Sequence, residues 1–448
     1  MSTVKQRPLD AMVAATPSTR DRYVDFLRAA SISVVVLGHW LMAVIMWRGG
    51  SFTGTSALDE IEGLWALTWV LQVMPLFFFV GGFSNLMSWD AVRRRGGSYA
   101  DWLSSRIERL LRPTLVFVGS WIALAVLLDV IGGDLGEQIL RASGLIAKPL
   151  WFLAVYVLAV AAAPAMLRLH RRFGIRVVLV MGAAAVVVDS LRLGAGLEAI
   201  GYLNFVFVWL IAHQLGFFYA GGSLPRLGAR VHSLIAAGGI VAVALLTTIG
   251  PYSNSMVGTA GREASNNSPP SVCLIALTFW LVGLAMFLRP RITRWLAQPG
   301  PWKAVVAANS VIMTAFLWHL TALLLAAAIV FPLGWPQPSV GSGGWWIMRP
   351  LWVALLLVAL VPFLGLFGRF ERPRSEAGSP DVPDVRRGRR SWSGLALLTI
   401  GLSGFALAGF KGVLDPPGLA PPSLHTQPLL NGLCLLVGAR LLNKGPAR

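Results

Sequence analysis

Residues 25–47, DFLRAASISVVVLGHWLMAVIMW, form the first long apolar stretch of the chain and contain two ionisable residues of interest, Arg28 and His39. His39 lies eleven residues after Arg28. A helix turns about 100° and rises about 1.5 Å per residue, so eleven residues close three turns and advance roughly 16 Å. We therefore expect both side chains on one helix face, with Arg28 at a membrane surface and His39 near the bilayer midplane. Ionisable residues in a spanning helix are costly and mark functional sites by default. The pair indicates a polar or anionic substrate handled inside a membrane.

Composition places the chain among multi-pass membrane proteins. Of 448 residues, 56% are hydrophobic and 13% are charged, against about 25% charged in soluble domains. Lys and Arg exceed Asp and Glu, 38 to 20, but the excess falls in short connections, as membrane insertion alone produces. We therefore expect no nucleic-acid partner. Cys273 and Cys434 lie in or beside apolar segments, so we expect no disulfide framework and no metal site, and no bound cofactor is indicated.

Runs of about 17 to 25 mainly apolar residues predict twelve transmembrane helices. The predicted spans are 26–47, 64–88, 112–131, 150–167, 176–191, 200–220, 232–250, 271–288, 305–332, 346–367, 393–412 and 428–442. Basic residues cluster in the even-numbered connections, so the positive-inside rule predicts both termini in the cytoplasm. The predicted fold is an all-α bundle in a cell membrane.

The predicted organisation has four parts. Residues 1–25 form a cytoplasmic N-terminal segment, 26–370 a ten-span core, 371–392 a basic cytoplasmic linker, and 393–448 two further spans with a short cytoplasmic tail. The linker has the composition of a mobile segment, rich in Ser, Pro, Arg and Asp.

Three arginines before the third predicted span are candidates for an anion site. Arg106, Arg109 and Arg112 recur every three residues in SSRIERLLRPTL and share one helical stripe. Three guanidinium groups on one stripe are suited to a polyphosphate. Positive-inside topology would also place arginines here, so charge alone does not decide between the two interpretations.

Further polar and aromatic residues at membrane depth are candidates for lining a substrate path or pore. They are Asn85, Trp151, His213, Gln214, Trp318 and His319. A buried histidine or amide needs a polar partner or water, whereas tryptophans also fit an interfacial belt. The adjacent Gly81 and Gly82 favour close helix packing. Taken singly, His39 is open to a packing role and Arg28 to contact with lipid phosphates.

Five motifs, in this order, resemble the acyltransferase 3 family of integral membrane acyltransferases. They are RAASISVVVLGH (28–39), PLFFFVGGF (75–83), RIER (106–109), LWFL (150–153) and LWH (317–319). The resemblance covers most of residues 20–370. It implies that His39 is catalytic, that Arg28 works with it, and that Arg106 and Arg109 bind the phosphates of cytoplasmic acyl-CoA, a co-substrate. It also implies acyl transfer, often of acetyl, to sugars or lipid-linked glycans of the cell envelope.

The chain departs from the family pattern at two places. Gly81 stands where the family often has serine, so a polar role there is absent or falls to Ser84. Arg112 creates a second, overlapping RxxR frame beside 106/109, and which frame matches the family is open.

The sequence therefore predicts acyl transfer from acyl-CoA to a hydroxyl, with His39 as general base. One alternative is a secondary transporter or lipid flippase, for which midplane polar residues are equally ordinary. Another is a membrane scaffold that binds envelope-assembly proteins. Membrane lipids are expected partners in every case.

Overall fold

The computed structural model describes residues 8–258, 265–371, 385–414 and 427–443. Over these residues the chain is mainly helical, with one two-stranded hairpin. Within the same ranges, eleven helices are long and apolar enough to cross a membrane. The prediction of an all-α multi-pass membrane protein is confirmed.

The α-helices and strands follow in chain order. They are α1 (Pro8–Ala14), α2 (Arg22–Met42), β1 (Ala43–Arg48), β2 (Ser51–Ser56), α3 (Ala57–Glu60), α4 (Thr68–Leu71), α5 (Met74–Arg94), α6 (Tyr99–Ile131), α7 (Asp134–Ala147), α8 (Leu150–Phe173), α9 (Arg176–Ala195), α10 (Asn204–Ala220), α11 (Gly228–Thr248), α12 (Val272–Trp295), α13 (Pro299–Asn309), α14 (Ile312–Val330), α15 (Gly343–Phe367), α16 (Val385–Ala408) and α17 (Pro428–Asn443). Short 3-10 helices precede α4, α10 and α11 and follow α15.

The chain divides into two compact units. The first unit comprises Met1–Gly38, Ser56–Leu86 and Ala165–Ile312. The second unit comprises His39–Thr55, Met87–Pro164 and Met313–Arg448.

The first unit holds the start of α2 in an apolar core. Asp21 caps the helix, because its Oδ1 accepts hydrogen bonds from the backbone N–H groups of Tyr23 at 3.0 Å and Val24 at 3.2 Å. Its Oδ2 accepts from the Tyr219 hydroxyl of α10 at 2.7 Å. The Tyr23 hydroxyl donates to the Ala285 carbonyl of α12 at 2.5 Å. The first turn of α2 is thus fixed to two neighbouring helices.

The second unit is organised around the long helix α6. Ser98 and Asp101 form a capping box at its start, and the helix then runs for 33 residues. It begins 13 residues before the predicted third span, so the three arginines lie inside it. Helix α17 packs against α6, and α16 packs against α6 and α7.

The first span ends earlier than the sequence predicts. Helix α2 stops at Met42, and residues 43–47 belong to strand β1 instead of the helix. Val44, Ile45 and Trp47 favour a strand. The hairpin turns at Gly49 and Gly50, whose φ angles of 57° and 82° suit glycine. His39 consequently lies in the last turn of α2, and its depth in the bilayer stays a prediction.

Two later spans also differ from expectation. The predicted span 305–332 is divided, because α13 ends at Asn309 and α14 begins at Ile312. Helix α17 has 16 residues and extends about 24 Å, short of the roughly 30 Å of a bilayer core. The described residues therefore give eleven full spans and one shorter apolar helix where twelve spans were predicted.

The predicted segments outside the core are described in part. Residues 8–14 of the N-terminal segment form α1, which packs on α13, whereas residues 1–7 lie outside the described residues. The same holds for residues 372–384 of the predicted linker and for residues 444–448 of the tail. Residues 385–392, counted as linker in the prediction, belong to α16.

Candidate functional site

Two histidines from different helices form a hydrogen-bonded pair in the second unit. The Nδ1 atom of His39 in α2 is 2.8 Å from the Nε2 atom of His319 in α14. The ring planes differ by 7° with centroids 5.0 Å apart, as expected for two imidazoles joined edge to edge through nitrogen atoms. His319 is fully buried and His39 is partly exposed. His39 is therefore the more accessible member of the pair, and its contact with a substrate stays a prediction.

Neighbouring bonds hold the histidine pair in place. The His319 Nδ1 atom lies 2.6 Å from the Phe316 carbonyl oxygen. The Trp40 indole N–H donates to the His319 carbonyl at 2.9 Å. His39 and Trp40, which are consecutive in α2, thus both contact His319 of α14. Lys148, exposed just before α8, lies within electrostatic range of the His39 ring.

The arginine stripe occupies the first half of α6. Arg106 is partly buried and hydrogen bonded to Tyr156 of α8, whereas Arg109 is exposed. The Arg112 guanidinium lies 5.7 Å from the centroid of the Phe370 ring. The three cations thus share one helix but differ in exposure, and an anion would meet Arg109 in solvent and Arg106 inside the bundle.

A continuous set of aromatic contacts joins the stripe to the histidine pair. Tyr156, the partner of Arg106, lies 5.9 Å from Phe152 one turn earlier in α8. Phe152 lies 5.6 Å from Phe316 of α14, and Phe316 lies 6.2 Å from His319. All these centroid distances are within the range of aromatic contact. The arginine stripe and the histidine pair are therefore parts of one packed region of the second unit.

A carboxylate fixes the start of the helix that carries His319. Glu371 accepts hydrogen bonds from the backbone N–H groups of Met313 and Thr314, the latter at 3.0 Å. The adjacent Phe370 contacts Arg112. A carboxylate at a helix N-terminus satisfies unpaired N–H groups and interacts favourably with the helix dipole. The 3-10 helix that follows α15 thus contacts both Arg112 of the stripe and the beginning of α14.

Arg28 belongs to a separate polar group in the first unit. Its Nη2 donates to the Ser84 hydroxyl of α5 at 3.2 Å, and its Nη1 lies 3.5 Å from Asp25 Oδ1. Asp25 is buried and also pairs with Arg20. The sequence left open whether a polar role at Gly81 is absent or falls to Ser84, and a functional role for Ser84 stays a prediction. Helix α2 is continuous from Arg22 to Met42, and joint action of Arg28 and His39 stays a prediction.

Two further polar pairs of the first unit involve α10. Asn85 Nδ2 lies 3.0 Å from His213 Nε2, and Gln214 Nε2 lies 3.2 Å from His170 Nδ1. A Cβ atom built on Gly82 would lie 1.9 Å from the His213 carbonyl oxygen. The glycine therefore serves close packing of α5 on α10, as predicted. A lining role for Asn85, His213 and Gln214 stays a prediction.

Trp151 and Trp318 lie among other aromatic side chains of the second unit. Trp318 is buried and stacks on Phe367 at 4.1 Å, with Phe117 edge-on at 5.2 Å. Trp151 lies 6.3 Å from Phe152. These contacts account for packing, and a role in lining a path stays a prediction.

Sequence reasoning did not identify several residues that complete this region. Tyr156, Phe152 and Phe316 lie within or beside the LWFLAVY and AFLWHL segments, whose aromatic content was the available signal. Glu371 was assigned to the linker by composition, and only its contact with α14 reveals its role. Among the described residues, no group of three or more His, Cys, Asp or Glu side chains is placed to hold a metal ion.

Comparisons with known proteins bear on this geometry. A family model, Acyl_transf_3, described as an acyltransferase domain, matches residues 21–369, well over half of the chain. The match includes the histidine pair, the arginine stripe, and Arg28 with its partners Asp25 and Ser84, and it ends before α16 and α17. Comparisons with curated proteins and with solved structures gave no significant match.

Proposed function

Since the chain belongs to the acyltransferase 3 family, we propose that this membrane acyltransferase moves an acyl group, expected to be acetyl, from cytoplasmic acyl-CoA to a hydroxyl group. The proposed acceptor is a sugar, glycan or glycolipid of the cell envelope. The protein would lie in the cell membrane with both termini in the cytoplasm, an orientation supported by the basic even-numbered connections.

The donor would bind along α6. Arg109 is exposed and Arg106 is partly buried against Tyr156, so a polyphosphate could be met at the surface and held further in. Guanidinium groups bind phosphate oxygens through paired, charge-assisted hydrogen bonds. The acyl thioester would then extend past Phe152 and Phe316 toward His39.

The chemistry assigned to His39 is general base catalysis. Its Nε2 atom takes the proton of the acceptor hydroxyl while the hydroxyl oxygen bonds to the thioester carbonyl carbon. The tetrahedral intermediate then collapses with cleavage of the carbon–sulfur bond. The departing CoA sulfur receives the proton from His39, so the products are the O-acyl ester and free CoA thiol, and the histidine is restored.

One observation carries the proposal: the contacts from Arg106 through Tyr156, Phe152 and Phe316 to His319 and His39 are unbroken within one unit. These contacts support the proposal because they place the arginines proposed to bind the donor and the candidate base in one packed region. A transporter needs polar residues at depth, but it does not need this connection to a polyphosphate site.

The test is acyl transfer by membranes that contain the protein. Radiolabelled acetyl-CoA would be supplied on the cytoplasmic side, and label in envelope lipids and glycans would be measured, with mass spectrometry of a deletion strain identifying the acceptor. We expect His39→Gln to abolish labelling at unchanged expression, since loss of a base is expected to reduce the rate on the order of 10²-fold or more. A matched control is His232→Gln, because His232 is also buried in a span and its ring Nε2 donates to the Leu224 carbonyl at 2.9 Å, outside the histidine pair.

Full labelling by His39→Gln membranes would overturn the assignment of the base. Movement of an envelope lipid or sugar without consumption of acyl-CoA by the wild-type protein would favour a transporter instead.

A further inference from the structure

We propose that His319 is a positioning residue that holds His39 in its Nδ1–H tautomer, so that Nε2 of His39 is the nitrogen free to accept a proton. This inference rests on the proposed function, since it explains how the base acquires its orientation. It follows from the hydrogen bonds of the two rings and assigns to His319 a role other than lining a path.

The argument begins at the Phe316 carbonyl. A carbonyl oxygen can only accept, so the His319 Nδ1 atom at 2.6 Å must carry a proton and donate. His319 is fully buried, and an imidazolium in an apolar interior is costly. A neutral ring with its proton on Nδ1 presents a lone pair at Nε2. His319 Nε2 is therefore an acceptor.

The tautomer of His39 then follows. The 2.8 Å distance between His39 Nδ1 and His319 Nε2 is that of a good hydrogen bond, and one of the two nitrogens must donate. Because His319 Nε2 accepts, the proton lies on His39 Nδ1. A neutral His39 ring has one N–H, so its Nε2 carries a lone pair.

The surrounding contacts make this arrangement rigid. The Trp40 indole donates to the His319 carbonyl at 2.9 Å, which fixes α14 against the residue that follows His39. The rings are nearly parallel, at 7°, so the N–H of one points at the lone pair of the other in a common plane. Rotation of His39 about its side-chain bonds would break the hydrogen bond.

His319 would also support the charged state that forms during transfer. When His39 Nε2 takes a proton, its Nδ1–H becomes a charged donor, and charge-assisted hydrogen bonds are about twice as strong as neutral ones. A buried carboxylate performs this service in Ser-His-Asp triads. Here a neutral imidazole does so, with its own proton anchored on the Phe316 carbonyl.

The first test reads the tautomer directly. Protein labelled with 15N-histidine in lipid nanodiscs would be examined by NMR, which separates protonated from unprotonated ring nitrogens by chemical shift. The chain has six histidines, and the His39 signals are identified by their loss in His39→Gln. We expect His39 to be protonated at Nδ1, whereas a free histidine prefers the Nε2–H form. An Nε2–H form of His39 in the wild-type protein would overturn the proposal, whatever the acyl-transfer assay shows.

The second test separates positioning from structural support. His319→Leu removes the acceptor and should lower kcat on the order of 10²-fold while KM for acetyl-CoA stays the same; the 10⁴-fold loss known from a forced tautomer reversal is an upper limit. His319→Gln offers an amide oxygen as acceptor and should recover part of the loss. Thr321→Val is the matched control. Thr321 lies in α14, like His319, and accepts a hydrogen bond from the Trp121 indole of α6, so the change removes a hydrogen bond of the same helix without altering either histidine.

The outcomes are distinct. A kcat loss confined to His319→Leu, with loss of the Nδ1–H signal of His39, supports the proposal. Equal losses in His319→Leu and Thr321→Val, or wild-type kcat in His319→Leu, would overturn it. If the wild-type protein transfers no acyl group at all, the proposed function fails, and the NMR result alone decides the tautomer.

Discussion

The Arg28 guanidinium of α2 donates a hydrogen bond to the Ser84 hydroxyl of α5 at 3.2 Å. Ser84 lies three residues after Gly81. Gly81 itself occupies the position at which the family pattern often carries serine. The bond joins a residue of the first motif to the residue that directly follows the second motif, PLFFFVGGF (75–83), and it orients a cation that the buried Asp25 also contacts.

We expect Ser84→Ala to reduce acyl transfer roughly tenfold, because a hydrogen bond to a charged group contributes about 1.5 kcal/mol. Arg28→Lys should cost more, since a lysine cannot make both contacts in one plane. Initial rates of acetyl-CoA consumption measure both changes. Ser88→Ala is the control, because Ser88 lies one turn further along α5 and accepts from Trp102. If Ser84→Ala and Ser88→Ala lower the rate of acetyl-CoA consumption equally, the hydrogen bond from Arg28 to Ser84 has no particular role in acyl transfer.

The arginine stripe predicts a graded effect on donor affinity. Arg106→Gln should raise KM for acetyl-CoA about tenfold or more, the loss of one charged hydrogen bond, with a smaller change in kcat. Tyr156→Phe should give a smaller rise, because it leaves the guanidinium in place but removes its partner. Arg93→Gln removes an exposed cation from the last turn of α5 and should leave KM unchanged. A rise in KM with Arg93→Gln as large as with Arg106→Gln would indicate a general charge effect.

Close packing of α5 on α10 predicts a stability defect. Gly82→Ala should lower the free energy of unfolding by about 1–3 kcal/mol, the usual cost of overpacking, because the new methyl group would overlap the His213 carbonyl. Thermal unfolding in detergent measures the change. Gly182→Ala in α9 should be neutral or stabilising, since nothing lies within 4 Å of the added atom and alanine favours a helix. Equal midpoints for the two variants would contradict the packing seen here.

Close packing of the end of α16 on α7 predicts a second stability defect, in the second unit. Gly409 follows α16 with a φ of 71°, and a Cβ there would lie 2.7 Å from the backbone nitrogen of Gly144. Gly409→Ala should therefore destabilise the protein by about 1–3 kcal/mol. The adjacent Phe410 stacks on Trp121 of α6 at 5.6 Å, so KM for acetyl-CoA should also rise. Gly119→Ala in α6, with open space around the added atom, is the control. A Gly409→Ala variant as stable as Gly119→Ala would show that Gly409 is not closely packed on Gly144 of α7.

Much of the fold follows from local properties of the sequence. The approximate bounds of most spans were predictable, because apolar runs of bilayer length have few other uses, although the described residues give eleven full spans and not the predicted twelve. The helix ends were less so. Residues 43–47 continue the apolar run, yet they form a strand, since hydropathy does not distinguish a helix from a hairpin stabilised by a glycine turn. The length of α17 fell short for a related reason: hydropathy does not fix where a helix ends.

The candidate site was predictable only residue by residue. His39 and His319 were both candidates, but their bond spans 280 positions of sequence. Tyr156 and Glu371 were missed because a tyrosine in an aromatic run and a glutamate in a basic segment have no distinctive local pattern.

The sequence by itself determined that this chain is a multi-pass helical membrane protein of an acyltransferase family, because hydropathy, charge placement and motif order are all readable along the chain. Only the tertiary structure decided which polar groups meet: His39 with His319, Arg106 with Tyr156, and Arg28 with Ser84. The physical reason is that these helices are apolar on nearly every side, so no amphipathic stripe specifies their rotation or their neighbours. Close packing and the need to satisfy buried polar groups make that choice.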